Sequence, residues 1–239
     1  MADEGAILVA LATYNEIDNL PSLVAAIHNE LPLAHVLVVD DNSPDGTGDW
    51  CREFGEQNLW FTTLHRPRKL GLGSALRAAM QTSIEKNYCR LITLDADWSH
   101  PPAALPRLIY ASEAADVVIG SRYCPGGSIV GWPWRRKLAS RAINWASRLS
   151  LGLPIHDCSG NYRLYRTELL KQLDWKQLQD DGYAYLEEVL YHLRQLGCRF
   201  AEVPIAFTDR RAGESKISLR DVQGAAATLA RLAVNRVRN

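Results

Sequence analysis

The 239-residue sequence lacks the features of a membrane-spanning, secreted or zinc-binding protein. No stretch reaches the ~18 apolar residues of a transmembrane helix, and the N-terminus has no basic start followed by an apolar run. The five cysteines are odd in number and include no Cys-x-x-Cys pair, which argues against a disulfide framework and a zinc site. We therefore predict a soluble cytoplasmic protein.

Two widespread phosphate-binding loops are also missing. The sequence contains no G-x-x-x-x-G-K-[ST]. A G-x-G-x-x-G loop that began at Gly71 would need its third glycine where Leu76 stands. ATP hydrolysis of the P-loop type and dinucleotide binding therefore lose their main support. We interpret Gly71 and Gly73 as the beginning of an ordinary helix.

Charge is unevenly distributed along a chain of ordinary globular composition. Apolar residues make up 47% and charged residues 23%, and the formal net charge is zero. The residues between Asp116 and Asp157 nevertheless include six basic and no acidic side chains. Those from Arg210 to the end include seven basic and two acidic ones. This segregation indicates an anionic partner that meets one part of the surface.

Short apolar runs alternate with helical patterns over the first half of the chain. The predicted strands are Ile7–Leu11, Val36–Val39, Trp60–Leu64, Leu91–Leu94 and Val117–Gly120. The predicted helices between them are Leu20–Leu31, Gly46–Phe54, Ser74–Lys86 and Ala103–Ala114. This alternation predicts an α/β fold with a mostly parallel central sheet flanked by helices. Such a sheet binds its ligands beyond the carboxyl ends of its strands.

Acidic residues follow these predicted strands. Asp40 and Asp41 come after the second strand, and Asp95 and Asp97 come after the fourth. Carboxylates that converge at one sheet edge repel each other unless a cation lies among them. An Asp-x-Asp pair suits Mg²⁺ or Mn²⁺ carrying a phosphorylated substrate. The alternative is that these acids cap helices or solubilise loops.

Eight motifs, in order from residue 12 to residue 216, carry a family resemblance. They are ATYNE at 12–16, VVDDNSPDGT at 38–47, DADWSHPP at 95–102, GSRY at 120–123, GW at 131–132, RKLAS at 136–140, SGNYR at 159–163 and FTDRRAGESK at 207–216. Together they resemble the inverting family 2 glycosyltransferases, and among them the dolichol-phosphate (polyprenol-monophosphate) mannosyltransferases, which move mannose from GDP-mannose to a lipid phosphate. The resemblance implies a GT-A, Rossmann-like catalytic domain over residues 1–220. An amphipathic C-terminal helix, 221–239, would follow it with no transmembrane segment.

The resemblance also implies roles for individual residues. The residues expected to contact the nucleotide-sugar are Tyr14, Glu16, Asp41, Asp95, Ala96 and Asp97, with Arg210 and Lys216 on its diphosphate. Those expected to bind Mg²⁺ or Mn²⁺ are Asp95, Asp97 and Ser99, which stands where many relatives have glutamine. Those expected to bind the acceptor phosphate are Arg122, Arg136 and Ser140. The catalytic set would be Asp97, Arg122, Arg136, Arg210 and Lys216.

The implied chemistry needs charge stabilisation more than a strong base. A divalent cation with Arg and Lys would stabilise the departing diphosphate. A phosphate monoester, with a second pKa near ~6, is already largely dianionic at neutral pH, so it needs mainly positioning. We interpret His100, which precedes two prolines, as a supporting residue. Two interpretations of Glu188 stay open: an acid of the family pattern, or an exposed helix carboxylate.

Two basic stretches have the composition of helices that lie on a membrane. The stretch from Gly131 to Leu151 and the stretch Leu219–Val237 combine Arg with apolar residues at helical spacing, and the first also carries tryptophan. Ordinary amphipathic helices packed on the sheet are the alternative. Interleaved Trp, Leu and Ile argue against nucleic acid. We expect a peripheral enzyme on the cytoplasmic face of a membrane, with recruitment by a membrane-anchored partner left open.

Two other functions stay open at this point. The same fold would serve UDP- or GDP-linked glucose or N-acetylhexosamine, or another acceptor, because the residues alone do not separate guanine from uracil. A non-catalytic module that binds nucleotides or lipid phosphates is the third hypothesis.

Overall fold

The structure, a computed structural model, describes residues 6–209 and 219–238. Its strands are β1 (Ile7–Thr13), β2 (His35–Asp40), β3 (Phe61–His65), β4 (Arg90–Asp95), β5 (Val117–Ser121), β6 (Ser128–Val130), β7 (Arg163–Arg166), β8 (Phe200–Pro204) and β9 (Ala206–Thr208). Its α-helices are α1 (Leu20–Glu30), α2 (Thr47–Gln57), α3 (Leu72–Glu85), α4 (Leu105–Ala111), α5 (Trp134–Leu151), α6 (Thr167–Leu170), α7 (Tyr185–Gln195) and α8 (Leu219–Arg238).

Seven of these strands form one central sheet. Their spatial order is β3-β2-β1-β4-β7-β5-β8, and β6 and β9 form a separate parallel pair. Within the large sheet β7 runs antiparallel to β4 and β5, while the other neighbours are parallel. The prediction of a mostly parallel α/β sheet flanked by helices is confirmed.

The inner strands are apolar on both faces because helices cover both sides of the sheet. In β1, Leu8 and Ala10 pack into one core, and Val9 and Leu11 pack into the other. The sequences of strands that are buried on both faces are nearly continuous apolar runs and do not alternate between apolar and polar residues. This explains why the inner strands appear in the sequence as short, predominantly apolar segments.

The register of the sheet gathers several loops at one edge. Ala12, near the end of β1, lies opposite Val39 on one side and Asp95 on the other. The loops after β1, β2 and β4 therefore leave the sheet together. Because β7 is antiparallel, with Ile119 of β5 opposite Arg163, the segment that precedes β7 joins the same edge.

The structure changes some predicted boundaries and adds elements. The segment Ala103–Ala114, predicted as one helix, contains the 3-10 turn Pro102–Ala104, followed by α4. The sequence had given no bounds for β6, β7, β8, β9, α6 or α7. The helix α8 packs against α5 and α7. In the described parts of the chain, no helix combines the length and the hydropathy that crossing a membrane requires.

Candidate active site

Asp95 ends β4 at the carboxyl edge of the sheet and is held from two sides. Its Oδ1 accepts a hydrogen bond from Asn161 Nδ2 at 3.0 Å, and its backbone N–H donates to His100 Nδ1 at 3.1 Å. The buried His100 ring packs against the rings of Tyr162 and Phe207. Burial lowers the pKa of His100, although the nearby carboxylates act in the opposite direction. A neutral His100 with its proton on Nε2 supports the loop, in the role expected of it.

Asp97 lies on the tight loop that follows and is largely buried, as is Ala96 before it. Its Oδ1 accepts a hydrogen bond from the backbone N–H of Ser99 at 3.1 Å. Trp98 between them has φ of 64°, which is rare for a bulky residue, and its Nε1 donates to Ser22 Oγ at 3.1 Å. Such backbone persists where its surroundings fix it, so the loop holds the Asp97 carboxylate in a set direction.

This loop offers a cation a short set of hard oxygen ligands. The hydroxyl of Ser99 is buried and makes no hydrogen bond within the described residues. Across residues 6–209 and 219–238, no group of three His, Cys, Asp or Glu side chains could bind a metal alone. Asp95, Asp97 and Ser99 therefore fit a cation that takes its other ligands from a bound diphosphate.

The two aspartates that follow β2 have different surroundings. Asp40 is fully buried and accepts hydrogen bonds from the backbone N–H and the hydroxyl of Ser43, at 3.1 and 2.5 Å, so it fixes the loop. Asp41 is ion-paired with Arg66 and accepts from the backbone N–H groups of residues 70 and 71 at 3.0 and 3.3 Å. A ligand that contacts Asp41 therefore shares this carboxylate with Arg66.

The loop after β1 brings Tyr14 and Glu16 to the same side. The Tyr14 ring lies under the Lys69 ammonium, 4.4 Å from nitrogen to ring centroid. Glu16 accepts a hydrogen bond from Asn19 Nδ2 at 3.0 Å, and its backbone N–H donates to Thr47 Oγ1 at 3.1 Å. The residues predicted to contact the nucleotide thus lie on three neighbouring loops.

A buried ion pair begins the basic half of the site. Arg122, directly after β5, donates to Asp157 from Nε at 2.7 Å and from Nη2 at 2.6 Å, and Nη2 also donates to Ser159 Oγ at 2.9 Å. Asp157 is fully buried and accepts the backbone N–H groups of Arg122 and Gly160 as well. Burial acts to raise the pKa of Asp157, but the Arg122 guanidinium outweighs it and holds that pKa below the usual value.

Aromatic rings surround the Arg122 guanidinium. Its central carbon lies 5.2, 5.9 and 5.3 Å from the ring centroids of Tyr123, Trp132 and Phe207. These distances allow cation–π attraction. Its Nη1 makes no hydrogen bond within the described part of the chain. Arg122 is therefore fixed by two nitrogens and can offer the third to an anion.

Arg136 and Ser140, on the first turns of α5, share these aromatic neighbours. The guanidinium carbon of Arg136 lies 3.8 Å from the centroid of Trp132. Ser140 Oγ accepts a hydrogen bond from the Tyr123 hydroxyl at 2.6 Å. The three residues predicted to bind the acceptor phosphate therefore gather around Tyr123 and Trp132.

A buried asparagine that no sequence pattern had indicated joins α5 to this site. Asn144 Oδ1 accepts the backbone N–H groups of Cys158 and Ser159 at 2.7 and 3.1 Å, and its Nδ2 donates to Ser159 Oγ at 3.0 Å. It also donates to the backbone oxygen of Ser140 at 2.9 Å. Asn144 thus fixes α5 relative to the loop that carries Asp157.

The interpretation of Glu188 as an exposed helix carboxylate is wrong. Glu188 is fully buried on α7, where it accepts from Arg231 Nη2 at 2.5 Å and from the backbone N–H of Asp180 at 3.0 Å. It therefore anchors α8 to α7. The neighbouring Glu187 is also buried, which raises its pKa to about 7. Arg210 and Lys216, predicted to contact the diphosphate, lie outside the described residues.

The acidic and basic halves meet at one place. The Phe207 ring contacts the His100 ring behind Asp95 and also faces the Arg122 guanidinium. Asn161 donates to Asp95 from the same loop that carries Asp157 and Ser159. The loop that carries Asp95 and Asp97 thus lies beside the pocket that contains Arg122 and Arg136.

Sequence comparison identifies relatives of the whole chain. The model of the family "Glycosyl transferase family 2" matches residues 8–174. The undecaprenyl-phosphate mannosyltransferase of Micrococcus luteus is 42% identical over 212 residues, which are 89% of this chain and 87% of the relative. The polyprenol monophosphomannose synthase of Mycolicibacterium smegmatis is 42% identical over 220 residues, 91% of this chain and 83% of the relative.

Solved structures share the fold at lower identity. Glucosyl-3-phosphoglycerate synthase from Mycobacterium tuberculosis, in complex with Mn²⁺, UDP and its product, has a TM-score of 0.69 at 20% identity over 96% of this chain and 80% of its own. A mannosyltransferase from Pyrobaculum calidifontis, in complex with GDP-Man and Mn²⁺, has a TM-score of 0.62 at 19% identity over 98% of this chain and 64% of its own. With the sequence matches, this fold shows that the chain belongs to glycosyl transferase family 2, as the motifs had indicated.

Proposed function

We propose that this glycosyltransferase moves mannose from GDP-mannose to a polyprenyl phosphate, with a divalent cation and with inversion at the anomeric carbon. One observation carries the proposal: the Asp95–Asp97 loop and the Arg122–Arg136 pocket lie side by side at one sheet edge. A transfer between two phosphate-bearing substrates needs a cation site and an anion site next to each other. The names of the two relatives at 42% identity support a polyprenyl phosphate as acceptor.

The acidic half suits the donor. Asp97, with Asp95 and Ser99, would hold Mg²⁺ or Mn²⁺, which stabilises the negative charge that develops on the departing diphosphate. The residues assigned to the nucleotide are Tyr14, Glu16, Asp41 and Ala96, with Arg210 and Lys216 on the diphosphate. The mannosyltransferase crystallised with GDP-Man and Mn²⁺ supports this choice of nucleotide and of a divalent metal.

The basic half suits the acceptor. Arg122 Nη1, the Arg136 guanidinium and the Ser140 hydroxyl would bind the phosphate and direct one of its oxygens toward the anomeric carbon. Because the acceptor is largely dianionic at neutral pH, its attack needs no strong base. The Nδ1 of the buried His100 accepts the backbone N–H of Asp95, so this ring is engaged in supporting the loop and is not assigned as a base. Attack from the side opposite the diphosphate gives inversion.

A surface for the lipid end of the acceptor lies on α5. The large apolar side chains exposed along this helix are Trp134, Leu138, Ile143, Trp145 and Leu149. Basic residues are interleaved with them, and the helix contains no acidic residue. Exposed tryptophan beside arginine is typical of helices that lie in the headgroup region of a membrane. The α5 surface supports a peripheral position on a membrane, and the five free thiols support its cytoplasmic face.

Transfer of radiolabel tests the proposal directly. Incubation with radiolabelled GDP-mannose, a short polyprenyl phosphate and Mn²⁺ or Mg²⁺ should give lipid-extractable label that EDTA abolishes. Asp97→Asn should lower the rate roughly a hundredfold or more, because a bound cation supplies several kcal/mol of transition-state stabilisation. Asp49→Asn, in an exposed pair with Arg52 on α2, is the matched control and should leave the rate unchanged.

The outcomes separate the alternatives. No lipid product with any of several sugar nucleotides would reject the enzyme and favour a binding module. Product from UDP-glucose or UDP-N-acetylglucosamine but not from GDP-mannose would keep the family and reject the proposed donor. Thermal shifts with GDP, UDP and dTDP, each with Mn²⁺, rank the nucleotides independently, since the tightest ligand raises the melting temperature most.

A further inference from the structure

An acidic side chain already lies against the arginine assigned to the acceptor phosphate. Asp209 Oδ1 lies 3.4 Å from Arg136 Nη1 and accepts a hydrogen bond from Trp132 Nε1 at 3.2 Å. The same Trp132 ring stacks under the Arg136 guanidinium. One carboxylate oxygen therefore contacts two donors that a phosphate on Arg136 would also meet.

The backbone fixes this carboxylate in place. The backbone N–H of Asp209 donates to the Val130 oxygen at 3.0 Å, which continues the β6–β9 pairing by one residue. Gly131 has φ of 88°, and a Cβ added there would lie 3.0 Å from the Asp209 Cβ. A side chain at 131 would push against Asp209, so the glycine lets the two strands approach.

The ion pair is weak enough to be exchanged. Both side chains are 39% exposed, and 3.4 Å is a long contact. Half-exposed pairs of this kind contribute little, so a ligand with more charge can displace the carboxylate. In contrast, the Arg122 pair with Asp157 is almost fully buried and bidentate.

We propose that Asp209 is an internal counter-anion that gives up Arg136 and Trp132 to the acceptor phosphate and takes them back when the product leaves. This inference rests on the proposed function. The acceptor is a monoester with up to two negative charges, whereas the product is a diester with one. The dianionic acceptor displaces the single carboxylate of Asp209 from Arg136, whereas the monoanionic product binds Arg136 in competition with that carboxylate. Asp209 therefore favours the replacement of bound product by a new acceptor.

Asp209→Asn tests this mechanism, because the amide oxygen still accepts the Trp132 hydrogen bond while the charge is lost. Without sugar nucleotide, the variant should bind farnesyl phosphate and its methyl diester, a product mimic, up to about fivefold more tightly, the upper limit for an exposed pair. Calorimetry in detergent measures both. Methyl farnesyl phosphate should also inhibit turnover of the variant more strongly. Asp209→Ser, which removes the charge by a different side chain, should tighten both ligands too.

The controls distinguish the possible failures. Asp49→Asn should bind both ligands as the wild type does. If Arg136→Gln weakens binding but neither Asp209 variant tightens it, Asp209 is a structural residue and the inference is wrong. If Arg136→Gln binds farnesyl phosphate as tightly as the wild type, the acceptor site of the proposed function is wrong as well. Weaker binding by both Asp209 variants, with unchanged melting temperatures, also overturns the inference.

Discussion

Asp157→Asn should destabilise the protein strongly, because it leaves the buried Arg122 guanidinium without its carboxylate. The native carboxylate is fully buried and accepts from three groups of Arg122 and from the backbone of Gly160. Asparagine supplies one oxygen, and its amide hydrogens would face these donors. Removing one partner of a buried ion pair costs about 3–5 kcal/mol.

This loss is large compared with the total stability of a protein. The free energy of unfolding of native proteins is about 5–15 kcal/mol. If the wild type lies near the lower end of this range, the variant retains little stability. For a chain of this length, each kcal/mol lowers the melting temperature by roughly 2–4 °C. We therefore expect a fall of about 6–20 °C. Guanidinium unfolding at neutral pH and thermal unfolding measure the two quantities.

The pH dependence provides a second test of the same ion pair. Arg122 holds the pKa of Asp157 below its usual value. The pair therefore stabilises the fold above the unfolded-state pKa of about 4 and loses its contribution as the pH falls through the lower, folded-state pKa. The difference in free energy of unfolding between the wild type and Asp157→Asn should become smaller as the pH falls below about 4.

Two results would refute this account. One is a loss below about 1 kcal/mol at neutral pH, which would mean that Arg122 relaxes into solvent. The other is a difference in free energy of unfolding that stays constant down to the lowest pH at which the wild type unfolds cooperatively. Asp49→Asn, in the exposed pair on α2, is the control and should lower the free energy of unfolding by less than about 1 kcal/mol.

Three further substitutions test other parts of the structure. Glu187→Gln should raise the free energy of unfolding by up to about 3 kcal/mol at pH 8. Burial raises the pKa of Glu187 to about 7, so the ionisation of this carboxyl costs the native protein stability as the pH rises above ~4.5. Denaturant titrations should show that the gain in the variant vanishes at pH 4. Gly73→Ala should cost about 1–3 kcal/mol in thermal unfolding, since its Cβ would lie 2.6 Å from the Tyr185 Cβ. Trp145→Ala should lower binding to anionic vesicles roughly tenfold in sedimentation assays, whereas Leu33→Ala, at a side chain that is even more exposed (93% against 65%) but far along the chain from α5, should not.

The sequence was sufficient to predict the parallel half of the sheet. Val36–Val39 is an unbroken apolar run, and Leu91–Leu94 is apolar except for Thr93, because both faces of these strands are buried. β7 was missed because Arg163 and Arg166 lie at its two ends. Arg163 is nevertheless fully buried, since its guanidinium donates hydrogen bonds to the backbone oxygens of Cys158, Gly160 and Leu186. No local pattern shows in advance that such carbonyls will be available.

The residues of the candidate site also form two groups, those that the sequence predicted and those that it did not. Asp95 and Asp97 were found by their position after a parallel strand, a rule that holds for open α/β sheets. Asp157 precedes an antiparallel strand, so that rule does not reach it. The motif at 159–163 was the available signal for this loop. The partner of Glu188, Arg231, is 43 residues away and becomes visible only in the folded chain.

The two arginines of the basic half differ in their counter-ions, and in the proposed function this difference gives them different tasks. The carboxylate on Arg122 is buried, bidentate and shared with backbone N–H groups, so an incoming phosphate cannot displace it. Arg122 therefore contributes one remaining nitrogen, Nη1, at a fixed position. The carboxylate on Arg136 is half-exposed and lies 3.4 Å from the Arg136 Nη1, a long contact, so this arginine can change partners. In the proposed cycle, which binds a dianion and releases a monoanion, Arg122 keeps one donor in a fixed position throughout, and Arg136 exchanges its partner so that the ligand can leave.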